Sequence, residues 1–441
     1  MKLPYLNVLP STESRIIDFK GLNRTISAAS NELVDCKNIS LKDYPKLTTR
    51  APREKIYSGI VNPRAIFIGK HIYYIANGSF YVDNVLKFSG LSAYSKSIVE
   101  FHDKICVFPD KKFYKESDGT YGNIGTGTYP AAGSCPDIDY VCVHDNRVFG
   151  VKGSTIYGCA LGNIDDWTTF VDVDGNPSEV GAYAVDVASP GDFKGIIEYQ
   201  NHVVALKENY HHELYGSMPS NFTAVEVSKT GTISNNSMVE VGSILYFLNG
   251  QGVMRYGGGQ ASNISLALNE NYSGGVMGGD GRFIYACLYN GVTYSLYVYD
   301  TFNGLWWRED DLQVVDFFSD GNVVYAIAND GCVYKMNSGV ETIAWDFTIS
   351  DLSEIGATYK KNTRIIIALY AEAETKITIS TSEDRKPFTV VATYVFDDSL
   401  VKYIPISINK VSELKLKIAG NKYAEIYSIE KTIVGGGKAW H

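Results

Sequence analysis

The sequence predicts an all-β protein: a seven-bladed β-propeller followed by a C-terminal β-sandwich. Three observations carry that expectation. One phrase (turn, apolar-x-apolar-x-apolar, Gly turn, apolar-Tyr) recurs about seven times at spacings of roughly 33 to 55 residues, the range in which propellers and other repeat arrays fall. Six and eight blades are the neighbouring counts. The 441 residues include 32 Tyr and 41 Gly but only 13 Pro; Tyr suits pleated, half-buried surfaces, and Gly supplies tight turns between short strands. No stretch beyond about ten residues keeps a helical period.

The phrase is plainest in residues 281–336, where two copies stand back to back. In the first, Phe283-Ile284-Tyr285-Ala286-Cys287-Leu288 and residues 296–299 flank Asn290-Gly291. In the second, Val323-Val324-Tyr325-Ala326-Ile327 and residues 332–335 flank Asn329-Asp330-Gly331. Asn-Gly and Asp-Gly between alternating apolar runs mark hairpins, because a two-residue primed turn needs positive φ, which Gly and Asn tolerate. The first copy continues through Asp300-Thr301-Phe302-Asn303-Gly304 to Trp306-Trp307. That makes four strands in about forty residues, the grammar of a propeller blade. Trp306 and Trp307 alternate along a strand, so one is expected between blades and the other outside. Earlier copies lie at residues 71–82, 104–114, 147–158, 202–216 and 243–256. The last copy, 314–336, has only three strands. An open blade edge would leave backbone groups unpaired, so a strand within residues 15–58 is expected to complete it.

Four parts follow in chain order: an N-terminal arm, 1–60, that helps to close the propeller; the propeller, 61–340; the sandwich, 341–434; and a flexible tail, 435–441. The sandwich is read from longer strands at 342–349, 364–370, 376–380, 389–395, 403–408, 413–418 and 425–430, separated by Ser-Glu-Asp and Asn-Lys turns.

Composition narrows the function. A net charge of −9 argues against a general nucleic-acid-binding surface. The seven Cys are scattered, with no CxxC, and Cys106, Cys142, Cys159, Cys287 and Cys332 sit in apolar strand contexts, which favours buried free thiols over disulfides. The N-terminus has no apolar signal-type region and no run has the length of a membrane span, so synthesis in a cytoplasm without membrane insertion is expected. Sequons such as Asn23-Arg24-Thr25 and Asn77-Gly78-Ser79 are read as turns.

Several patterns resemble sites and are weighed as such. Residues 122–127 are Gly-rich but lack the strand-to-helix context and the GK[ST] of a phosphate loop. Asp172-Val173-Asp174-Gly175-Asn176 could offer oxygens to Ca²⁺, yet no distal Glu follows, and a hairpin turn is favoured. His211-His212-Glu213 is the one histidine cluster, and adjacent His in a strand point to opposite faces, which suits zinc poorly. Gly257-Gly258-Gly259 reads as a loop, and Arg50 and Arg53 as solvated, with an acidic partner as the alternative. No sialidase-type S-x-D-x-G-x-x-W box is present, and the nearest string, 382–388, lies outside the propeller. No catalytic, cofactor-binding or metal residue is assigned, no cofactor is expected, and the protein is expected not to be an enzyme.

The run F-x-G-L-N … N-E-L-x-D-C-x-N-I-S … Y-P-x-L-x-x-R-x-x-R, from Phe19 to Arg53, resembles the start of tail-associated virion proteins of tailed bacteriophages (the tail nozzle-like group), in which a segment of this kind precedes a β-propeller. The resemblance covers 19–53 well and the propeller only as architecture. It implies a structural component of the virion tail, at nozzle-like or tail-tip level, holding neighbouring proteins in a symmetric assembly. Expected partners are other phage tail proteins and further copies of the chain around the tail axis, with transient contact to passing DNA. The alternative is a carbohydrate- or receptor-binding propeller of the adsorption apparatus.

Overall fold

The computed structural model describes residues 11–352, 358–398, 400–408, 410–411 and 413–438. Its propeller consists of seven four-stranded antiparallel sheets. Blades 1 to 6 span residues 63–89, 97–123, 140–186, 193–228, 238–263 and 274–310, and blade 7 combines 314–335 with the strand Glu54–Tyr57. The first strands of consecutive blades touch around a ring, with Val314–Ser319 of blade 7 against Pro63–Ile68 of blade 1. The ring is closed.

The recurring phrase marks the second and third strands of each blade. These strands are buried on both faces because blades pack face to face. Ile105 to Phe108 and Val203 to Leu206 are buried without interruption. Hydrophobic clusters accordingly sit between blades: Tyr73, Ile75 and Phe80 of blade 1 meet Ile105, Val107 and Tyr114 of blade 2, and Tyr199 and Val204 of blade 4 meet Leu245 and Phe247 of blade 5.

Blade 7 is completed from the N-terminal side. Val333 pairs with Tyr57, Tyr334 with Lys55 and Lys335 with Glu54, antiparallel. A fourth strand drawn from the other end of the chain clasps the ring, so the last blade presents no unpaired third strand.

The arm expected at 1–60 is redrawn by the structure, since among its described residues Glu54–Tyr57 is the only propeller strand. Ser11–Ile16, Leu33–Lys37, Ile39–Ser40 and Leu47–Thr49 belong to the sandwich. One sandwich sheet runs Ile39–Ser40, Leu47–Thr49, Ala424–Lys438, Thr358–Ala371, Leu400–Ile406, with Ser11–Ile16 also on Ala424–Lys438 and Lys410–Val411 on Thr358–Ala371. The other runs Leu33–Lys37, Trp345–Ile349, Leu414–Gly420, Lys376–Glu383, Thr389–Val395. Ile365, Ile367 and Ile426 of the first sheet share a core with Phe347, Ile379 and Leu416 of the second, and Leu33, Ile39 and Leu47 complete it. The flexible tail is corrected in part: Ala424–Lys438 is one strand that carries the Gly435-Gly436-Gly437 run along Thr358–Ala371, while residues 439–441 lie outside the described residues.

Both tryptophans are buried, Trp306 at 2 % and Trp307 at 0 % exposure, so the expectation of one outward-facing ring is corrected. Their strand, Leu305–Asp310, is the outermost of blade 6, and the N-terminal segment covers it. Leu22 N donates to Trp306 O at 2.6 Å, and Asn38 N to Glu309 O at 2.5 Å. Trp306 Nε1 donates to Ile264 O at 2.8 Å, and Trp307 packs on Phe283 with ring centroids 5.9 Å apart. Trp306→Ala and Trp307→Ala are each expected to cost about 3–5 kcal/mol in urea unfolding. One near-neutral mutant of the pair would show that the strand is not covered on both faces.

Candidate functional site

The first strands of all seven blades converge on the propeller axis and enclose a cavity of about 490 Å³, with Ile66, Val99, Val143, Ile197, Met277 and Phe318 among its apolar walls. Four charged side chains line it: Lys96, Glu100, Glu198 and Asp316. Lys96 is fully engaged, donating to Ser92 Oγ at 2.7 Å and to Asp110 in a shorter contact. Among the described residues, Glu100 and Asp316 line the cavity with no basic side chain in ion-pair contact, while Glu198 meets His144.

Asp316 is the most unusual of them. Ile66 N donates to its Oδ2 and Asn236 Nδ2 to its Oδ1, both at 3.0 Å. Burial pushes its pKa up to about 7, although these donors favour the carboxylate. Burial also raises Glu100, helped by the charge of Glu116, and raises Glu240 at the end of a blade 5 strand, helped by Glu198. Glu198 is held by His144, Nδ1 to Oε1 3.2 Å.

An acid whose folded pKa lies above its unfolded value keeps a proton that the unfolded chain has lost. For Asp316 the window runs from the ordinary carboxylate range to about 7. Across it the unfolded chain binds fewer protons, so stability falls as pH rises and then levels off. Asp316→Asn removes this dependence. Measured by urea unfolding, its stability relative to wild type is expected to improve between about pH 5 and about pH 8, by up to roughly 3 kcal/mol. A difference that does not change with pH would place the carboxyl in contact with bulk water.

The histidine cluster is a tie between blades 4 and 5. His211 and Glu213 share one face of their strand and His212 takes the other, as the strand period requires. Tyr256 Oη of blade 5 donates to Glu213 Oε1 at 2.7 Å, Tyr215 Oη donates to Oε2, and His211 Nε2 and His202 Nε2 approach Oε1 at 3.4 and 3.5 Å. Burial opposes the Glu213 charge, but these donors outweigh it and hold the carboxyl down at about 2. On the other face His212 sits against Ser189 Oγ at 3.0 Å, and burial with Lys207 nearby pushes it down to about 4. Among the described residues no group of three His, Cys, Asp or Glu is arranged to hold a metal ion.

The other flagged patterns resolve locally. Asp172 Oδ1 accepts from Asp174 N and Asn176 N at 2.9 Å, which is a side-chain-stabilised turn. Gly122 lies in Tyr121–Asn123, the fourth strand of blade 2, against the Phe113 ring. Gly258 and Gly259 take positive φ after the strand Gly252–Tyr256. All seven Cys are free and buried, and burial pushes the Cys36 thiol up to about 12.

Arg50 and Arg53 differ from their solvated reading. Arg53 is 8 % exposed. It binds Asp310 Oδ2 through Nη1 and Glu309 Oε2 through Nη2, each at 2.7 Å, and Arg50 Nη2 lies 3.3 Å from Asp310 Oδ2. Burial opposes the Arg53 charge, but Glu309 and Asp310 more than offset it and raise its pKa. The acidic partner is therefore the outer strand of blade 6. Around it, Arg24 pairs with Glu270 at 3.0 Å and Lys42 donates to Tyr285 Oη at 2.6 Å. No sequence signal pointed to Asp316, Glu100 or Glu198, which sit singly in unremarkable strands.

No family model and no curated protein matches the sequence. Among solved structures, the chain is similar to the extracellular domain of a one-component system protein from B. thetaiotaomicron (11 % identity, TM-score 0.48, 88 % of this chain covered) and spans 62 % of that protein's length. It is also similar to an exo-β-1,3-galactanase from Phanerochaete chrysosporium (10 %, TM-score 0.27, covering 86 % of this chain and 100 % of that one). A third is a glycoside hydrolase family 43 arabinoxylan arabinofuranohydrolase from Bacillus subtilis (11 %, TM-score 0.23, covering 93 % and 98 %). Because such neighbours include glycoside hydrolases, the expectation that the chain is not an enzyme is withdrawn. At this identity and these TM-scores the likeness assigns neither an activity nor a substrate.

Proposed function

We propose that the protein is a structural component of a tailed-phage virion, at the nozzle-like or tail-tip level of the tail, where it holds neighbouring tail proteins and symmetry-related copies of itself. The observation that carries this reading is the path of residues 19–53. The segment whose pattern resembles tail proteins supplies three strands to the sandwich, covers blade 6 and leads into the strand that clasps blade 7. Propeller and sandwich are thereby fastened into one unit by buried charge pairs and shared core, which suits a part that transmits load between neighbours. Contact with passing DNA would be transient for a chain of net charge −9. The test is a symmetry-averaged electron cryomicroscopy map of purified particles. The chain is expected in several symmetry-related copies on the tail, and its absence from the particles would overturn the reading.

A second reading, a carbohydrate- or receptor-binding propeller, is favoured by one observation. The axial cavity presents carboxyls biased toward their protonated form, above all Asp316, and a neutral carboxyl can both donate to and accept from a sugar hydroxyl. Glycan-array binding that is lost in Asp316→Asn would support it. Turnover of the bound glycan would make the same cavity an active site.

A further inference from the structure

The sandwich ends on an unprotected strand. Thr389–Val395, sequence TVVATYV, pairs on one side only, with Lys376–Glu383. Among the described residues nothing pairs with its other side. Its backbone donors and acceptors on that side are free to accept another strand. Natural edge strands are usually guarded by charge, by proline or by brevity. This one has seven residues and no charged side chain, with Val390 64 %, Val391 41 % and Val395 56 % exposed, and Phe388 just before it 43 % exposed. Ala392 and Tyr394 face the core, so the remaining apolar side chains project away from it. A bulge at Val391, where the register shifts between Ile379 and Ser380, is the one irregularity.

Charge lies outside the strand: before it Arg385 and Asp384 are engaged with Glu413, which leaves Lys386 nearest the strand. Lys386 precedes the strand and Asp397-Asp398 follows it, all exposed and, among the described residues, in no ion pair. An antiparallel second copy centred on Ala392 sets Val391 against Thr393, both facing away from the core, a β-branched pair of the kind that stabilises sheets. In this arrangement Lys386 of each copy falls against the Asp397-Asp398 pair of the other, twice by symmetry. A parallel copy would set like charge against like.

We propose that Thr389–Val395 is a self-pairing edge, at which two copies of this chain join antiparallel about a two-fold axis so that their five-stranded sandwich sheets become continuous. Such a contact is isologous. It goes beyond the tail reading, because a two-fold pair differs from any contact that would close a ring about a tail axis, and it stands or falls in solution whatever the particle map shows.

The experiment is sedimentation velocity of the full chain over a concentration series, with hydrogen exchange at low and high concentration. Wild type is expected to dimerise, with the amides of 389–395 gaining protection as the dimer forms. Lys386→Asp, and separately Asp397→Lys with Asp398→Lys, are expected to weaken dimerisation about tenfold or more. Combining all three is expected to restore it to within about threefold of wild type. These side chains lie outside the core, so folding is preserved and is checked by circular dichroism. A wild-type chain that stays monomeric throughout, a dimer with no added protection at 389–395, or a triple variant as weak as the single reversals would each overturn the proposal.

Discussion

Deletion of residues 1–60 is expected to abolish cooperative folding of the whole chain, propeller and sandwich together. The deletion removes Glu54–Tyr57, whose loss exposes the third strand of blade 7. It also removes Leu33–Lys37 and Leu47–Thr49, which pair with Trp345–Ile349 and Ala424–Lys438 in the two sandwich sheets. Phe19, Leu22, Leu33, Cys36, Ile39, Leu41 and Leu47 leave the shared core with them, all at 2 % exposure or less. Burying a large apolar side chain contributes about 1.5–3 kcal/mol relative to leaving it exposed, and a domain has a net stability of only about 5–15 kcal/mol. The loss exceeds that margin. Circular dichroism and calorimetry of the truncated chain test it, and an unchanged melting transition would mean that the clasp is dispensable.

Arg53→Ala is the point substitution expected to do most damage, about 3–5 kcal/mol. The buried guanidinium faces Glu309, itself 2 % exposed, and Asp310. Without it two carboxylates remain in the joint between propeller and sandwich, with Arg50 beside Asp310 and Lys42 near Glu309 but neither in Arg53's place. Burial raises the Asp310 pKa and the two arginines lower it further, so that it stays below the ordinary carboxylate value in the folded protein. A depressed carboxylate adds stability that is present above its unfolded pKa and is lost as pH falls through the folded one. In Arg53→Ala that contribution is gone, so the gap between mutant and wild type should narrow in acid. Urea unfolding at neutral and at acid pH measures both effects. Arg53→Lys is expected to recover only part of the loss, since an ammonium cannot span Glu309 and Asp310 as the guanidinium fork does.

The residues of the tail-like pattern now have physical roles that the pattern alone did not disclose. Phe19 and Leu22 fill the joint beside Trp306, Cys36 Sγ accepts from Arg308 N at 3.3 Å, and Arg50 and Arg53 grip blade 6. Arg53 and Glu309 are separated by 256 positions. Read along the chain, two arginines flanking an Ala-Pro pair look like solvated loop charges, because a linear sequence contains no term for what is folded onto them.

By itself the sequence determined the strands. Hairpin turns need positive φ at Asn, Asp or Gly, and strands buried on both faces need unbroken apolar runs, so Phe283–Tyr289 and Val324–Ala328 with their turns could be read locally. The repeat count followed, because each blade repeats the same buried pair of strands. Tertiary structure alone decided where the first sixty residues go. Ile39–Ser40 is two residues long and Leu47–Thr49 three, too short for any periodicity, and they become strands because Ala424–Lys438 offers Leu47–Thr49 an edge and Leu47–Thr49 offers one to Ile39–Ser40. Ring closure likewise decided the axial site. Glu100, Glu198 and Asp316 each come from a different blade, and what makes Asp316 unusual is the protein around it, which no neighbour in sequence supplies.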